Sequence, residues 1–325
     1  MDRRAKYNLY LMSYRDDPEI DVEPWMVIDY RRESLNSLFH QLASFDIHLD
    51  KTSFAAYAEA CDSPEQLAEE MVSHLDIEEE LEDYVYLLIF ELWRRLVPEK
   101  QPISIFCDEL DHQIYLYEND QTRSLETLED MLANLEYLLD NQVDEGADPQ
   151  ELFETVKEAL AHDLESFLFD FISVQMDNEN YSYAADLLEG FNTYVSSPKW
   201  FALLKARLLI ASDPEEAGEL IDRLIELTSG DKDLEFHIEF LSLLVQEGNQ
   251  STFLKVLNTV LSLIETEEDF RDVLSLCEDY FHCLDAERQE SVIRSIAEAR
   301  ADRDPAEPVA SSDPHVSQLK EVFTL

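Results

Sequence analysis

The stretch Ser212-Asp213-Pro214-Glu215-Glu216-Ala217 decides how this chain reads. Asp213 has the side chain of a helix N-cap, and Pro214 fits the first helical position. Glu216, third in the helix, is placed to reach back to the cap. The sequence EEAGELIDRLIEL then sets Ala217, Leu220, Ile221, Leu224 and Leu227 on one face at helical spacing. PKWFALLKARLLIA, from Pro198, is an equally apolar helix immediately before it. Two apolar helices divided by a capped proline predict one unit of a stacked helix-pair array.

The rhythm extends in both directions. Helices are predicted to begin near Tyr181, Pro214, Ser251 and Ala286, interleaved with others near Pro198, Asp233 and Asp269. The spacing is roughly 33 to 37 residues, within the range of helix-turn-helix repeats. Ser196-Ser197-Pro198, Thr228-Ser229-Gly230-Asp231 and Gly248-Asn249 supply the turns. Over about residues 150 to 300 the pattern resembles the tetratricopeptide repeat family. The match rests on Trp200 or Phe201 early in a first helix and Leu203 or Leu204 a few residues on. A small residue opens the second helix: Ala184 or Ala185 in one unit, Ala217 in the next. The family's first-helix glycine is absent, since the stretch reads LLKARL, and the Ser251 unit has no alanine at the small position. The resemblance implies a superhelix whose first helices line a peptide-binding groove.

Upstream, the residues alternate between helix and turn without a fixed period. Residues 1–22 read as a mixed lead-in, and PWMVIDYRRESLNSLFHQLASF as one amphipathic helix. TSFAAYAEAC follows with Thr52 or Ser53 as its cap, and Ser63-Pro64-Glu65-Gln66 repeats the capped-proline signature. YVYLLIFELW (84–93) reads as a buried helix, inside a segment that opens with acids and ends in arginines, as the helix dipole favours. ELFETVKEALAHDLESFLFDFISVQM reads as one long helix after Asp148-Pro149. The expected organisation is all-α. It comprises an N-terminal helical region at 1–147, TPR-like repeats at 148–300, and a flexible linker with a short terminal segment at 301–325.

Charge is the strongest chemical feature. Seventy-three acids against 24 bases give a formal charge of −49. Such a field opposes binding to nucleic acid or anionic membrane and favours basic protein partners. Only 5 glycines are present, too few for phosphate-cradling loops to be a theme. No apolar run reaches the roughly 18 residues of a membrane span, and MDRRAKYNLYLMSYRDD is too short and polar-broken for a signal sequence. Cys61, Cys107, Cys277 and Cys283 form no CxxC, so reduced thiols in a cytoplasmic setting are expected.

No catalytic constellation stands out. Glu109-x-x-His112 has the spacing of a di-iron ligand pair, but its one loose second copy is Asp279-x-x-His282, so neither metal nor cofactor is expected. Cys277, His282 and Cys283 do not share a helix face, and the cysteines read as buried small apolar residues. The rarer bases are more informative. Lys199, Lys205 and Arg207 cluster on one first helix, suited either to pair with neighbouring acids or to hold a peptide carboxylate. Asp233, Glu235 and Glu239 on the next first helix offer a place for basic side chains. The expected function is a non-enzymatic scaffold, adaptor or dedicated chaperone for a basic protein. The alternatives are a nucleic-acid mimic that inhibits a DNA- or RNA-binding protein, and a helical metal-dependent enzyme.

Overall fold

The computed structural model describes residues 2–246, 249–310 and 312–324. Among these, the fold is all-α, with 17 α-helices and two 3-10 turns; the single β feature is a bridge between Thr266 and Pro308. The chain divides into two units, Met1–Asp170 with Thr193–Ser196, and Phe171–Asn192 with Ser197–Leu325. The division at Asp170/Phe171 falls inside the helix Leu164–Asp177.

In unit 1 the order is α1 (Arg3–Asp16), turns Pro24–Val27 and Tyr30–Arg32, α2 (Leu35–Ala43), α3 (Lys51–Glu59), α4 (Pro64–Val72) and α5 (Glu79–Leu96). Then come α6 (Ile103–Glu118), α7 (Glu126–Asp144), α8 (Pro149–Glu158) and the start of α9 (Leu164–Asp177). Helix α5 is the core element. Val85 to Phe90, Leu92 and Trp93 are all fully buried, and α2, α3 and α4 pack around it.

Three local readings need correction. The lead-in is a helix, capped by Asp2 and anchored by buried Arg4, Ala5 and Tyr7. The helix expected from Pro24 breaks into two 3-10 turns, because Ser34 caps a fresh start by accepting from the Ser37 amide. The cap of α3 is Asp50, not Thr52 or Ser53. Ser53 instead occupies the third position and completes a capping box.

Unit 2 takes over within α9 and continues with α10 (Tyr181–Phe191), α11 (Pro198–Ser212), α12 (Pro214–Thr228), α13 (Leu234–Val245) and α14 (Gln250–Leu263). It ends with α15 (Glu267–Cys283), α16 (Glu287–Arg300) and α17 (Pro314–Val322). Asp213 caps α12 as expected, its Oδ1 accepting from the Glu216 amide at 3.1 Å. Asn249 caps α14 through the Thr252 amide, so it starts a helix; Gly248, paired with it in the sequence reading, lies outside the described residues.

Helix α11 packs on α12, α13 on α14, and α15 on α16, while α11, α13 and α15 touch in series. The fourth residue of α10, α12 and α14 is Ala184, Ala217 and Phe253 in turn, each fully buried. The missing alanine is therefore replaced by a ring, which stacks on Tyr280 at 4.0 Å. The stretch expected as a flexible linker, residues 301–314, is held at Pro305, Glu307 and Val309. Val309 donates to Glu265 O, and Glu267 and Glu268 donate to the carbonyls of Glu307 and Pro305. Helix α17 then buries Val316, Leu319 and Val322, with Phe323 following against Phe281. No helix among the described residues is long and apolar enough to cross a membrane.

Candidate functional site

Two of the first helices carry acids at exposed positions. On α13, Glu235 and Glu239 are exposed, one turn apart. On α15, which packs against α13, Glu268, Asp272 and Asp279 are exposed at spacings of four and seven, one helical strip. Asp272 registers the crowding. Partial burial, then the charges of Glu268 and Asp269, hold its carboxyl above the ordinary carboxylate range. A strip in which carboxylates repel one another is stabilised by any cation placed on it.

Two of the three bases are paired within the chain. Lys199 is engaged with Asp231 and Asp233, its Nζ at 2.6 and 2.8 Å from their Oδ2 atoms, and it lies over the Phe236 ring. Arg207 pairs with Asp177 on α9. Lys205 is exposed, with no ion pair among the described residues. Asp233 is committed twice, capping α13 through the Phe236 amide and accepting from Lys199. Of the six residues singled out in the sequence, Lys199 and Asp233 thus meet, with Asp231 sharing the lysine. Glu235 and Glu239 remain on the surface.

Elsewhere in unit 2 two arginines, Arg300 and Arg271, bind groups of their own chain. Arg300, fully buried, grips the equally buried Glu267 through Nε at 2.8 Å and a terminal nitrogen at 2.5 Å. It also reaches Asp313 at 2.9 Å and His315 at 3.2 Å, fastening the start of α17 to α15 and α16. Arg271 donates to the carbonyls of Arg300, Ala301 and Arg303, closing the end of α16.

Unit 1 holds a separate buried polar junction. Asp108 accepts from Arg4 Nε at 2.7 Å, from Asn8 at 3.0 Å and from Arg31. Burial raises its carboxyl, but the two guanidinium groups and Asn8 outweigh this and hold it far below the usual range. Asp111, one turn on, accepts from the Ala161 and His162 amides and from His162 Nδ1. These bonds satisfy the gap where the helix expected over residues 151–176 breaks into α8 and α9. The readable signal is a pair of acids on the same face of α6 as Leu110, Ile114 and Cys107. Which cations meet them is settled by tertiary packing.

Glu109 is held by Arg31 and Arg94 at 2.9 and 3.1 Å, and His112 stacks on Tyr115. Burial, then the Arg31 charge, lower the His112 imidazole. Cys61, Cys107 and Cys277 are buried, and burial pushes the Cys107 thiol up to about 12. Cys283 is instead exposed at the end of α15, against the expectation of burial, beside an exposed His282. Comparison with protein-family models, curated proteins and solved structures returns no match for this chain.

Proposed function

We propose that unit 2 is a tetratricopeptide-like array acting as a non-catalytic scaffold, adaptor or dedicated chaperone for a basic protein or peptide. The observation that carries this reading is the acidic strip pair: Glu235 and Glu239 on α13, and Glu268, Asp272 and Asp279 on the adjoining α15. Internal pairing supports it. Lys199, Arg207, Arg271, Arg294 and Arg300 are all engaged by acids or carbonyls of their own chain, which reduces what they contribute to the outward charge. Such a surface speeds encounter with a basic partner and orients it.

The test is capture of partners on the immobilised full chain, followed by binding of the purified partner to wild type and to Glu235→Lys/Glu239→Lys/Asp272→Lys. A basic partner is expected, with affinity falling at least about tenfold as salt rises and again on charge reversal. Binding indifferent to both rejects the reading.

A second reading draws on α12. Glu215, Glu219, Asp222 and Glu226 form one exposed row along that helix, with steps of about 5 to 6 Å. A row of this kind supports a nucleic-acid mimic. A captured partner that exchanges this chain for DNA or RNA selects that reading over the first.

A further inference from the structure

His162 sits in the break between α8 and α9, nine-tenths buried, between two acids of α6 that are seven residues apart. Its Nδ1 lies 2.8 Å from Asp111 Oδ1. That carboxylate only accepts, so Nδ1 carries a hydrogen in either charge state. Nε2 is buried with no hydrogen-bond partner, and the nearest charged atom is Glu118 Oε2 at 3.5 Å. In the neutral ring, a bare nitrogen lone pair therefore faces a carboxylate oxygen. We infer that His162 is a proton-operated latch: a proton on Nε2 turns that repulsive contact into a second bond, to Glu118, and fastens the α8–α9 break to α6.

The surroundings leave this role to His162. Asp108 is saturated by Arg4, Arg31 and Asn8, and Arg15 is paired with Asp29. Asp163, next in the chain, is turned to the amides of Glu165 and Ser166, while Lys157 of α8 pairs with Glu154 and Glu165. His112, which lines the same cavity of about 40 Å³, is shifted the other way, lowered by burial and by Arg31. Burial opposes charge on His162 as well, but the Asp111 hydrogen bond and the charges of Asp111 and Glu118 outweigh it and raise the imidazole. The sign follows. The stabilisation is complete below the unfolded-state value and is lost as pH rises through the folded one.

The ring signal of His162 in the full chain, identified by its loss in His162→Gln, is followed by NMR from about pH 5 to 9. The expected midpoint lies above 6.5, the ordinary value. Glu118→Gln, a change at a half-exposed surface position, lowers that midpoint by roughly 0.5 pH unit. Exchange protection of the amides of residues 159–163 is expected to fall across the same midpoint in wild type, and to fall less in Glu118→Gln. A midpoint unchanged by Glu118→Gln, or protection that ignores the titration, overturns the latch.

Discussion

Lys199 of α11 bonds Asp233, the N-cap of α13, with Nζ 2.8 Å from Oδ2. One carboxylate thereby starts a helix and ties that helix to its neighbour in the stack. Asp233→Ala removes the cap and one of the two carboxylates that hold Lys199, Asp231 remaining, and is expected to cost about 1–2 kcal/mol. Lys199→Met removes the tie to both Asp233 and Asp231 and leaves the cap in place. Because the lysine keeps some exposure to solvent, its loss is expected to be roughly 0.5 kcal/mol. Urea unfolding of both variants compares the two, and a loss no larger in Asp233→Ala than in Lys199→Met would mean that the cap contributes little.

Arg300 and Glu267 form a fully buried pair, and Asp313 and His315 join it from α17. Arg300→Met leaves a buried carboxylate without its main partner, at an expected cost of about 3–5 kcal/mol. Glu267→Leu/Arg300→Met removes both charges and is expected to recover much of that loss. Thermal unfolding of the three chains checks this. A double variant no better than the single would show that the pair's value lies in packing.

Asp108 stays ionised because Arg4 and Arg31 converge on it in the core of unit 1. Its folded value is lowered, so its contribution is present above the unfolded carboxylate value and is lost as pH falls through the folded one. Wild type is thus expected to lose stability steeply in strong acid. Asp108→Asn, destabilised at neutral pH because Arg4 loses its anion and Arg31 keeps only Glu109, should lose less further stability there. Parallel pH–stability curves for the two chains would exclude this account.

Asp272 behaves in the opposite sense. Its folded value is raised, so the stability linked to its proton is present in acid and lost as pH rises through that value. Asp272→Asn removes the repulsion from Glu268 and Asp269, and is expected to raise the neutral-pH melting temperature by a degree or so. The gain should shrink in high salt. A melting temperature that drops in Asp272→Asn would mean that the carboxylate has a stabilising partner.

The charge contacts explain which parts of this fold were readable in advance. Helix starts were readable because they are local: Asp213-Pro214, Asp148-Pro149 and Ser63-Pro64 each hold their own cap within three residues. The repeat was readable for the same reason. Helices α10, α12, α14 and α16 begin at 181, 214, 250 and 287, each within a residue of its expected start.

By itself, the sequence determined the all-α class, the pairing rhythm of residues 181–300, the burial of 84–93 and the acidic sign of the surface. Each follows from spacing along one chain segment or from composition. Only the tertiary structure decided that Lys199 and Asp233 meet and that Arg300 holds α17 down. It alone decided that α1 is a buried-side helix and that Asp111 fills the gap at His162. Those outcomes depend on partners 13 to 104 residues apart. No local pattern specifies which of 73 acids will meet which of 24 bases once the helices pack.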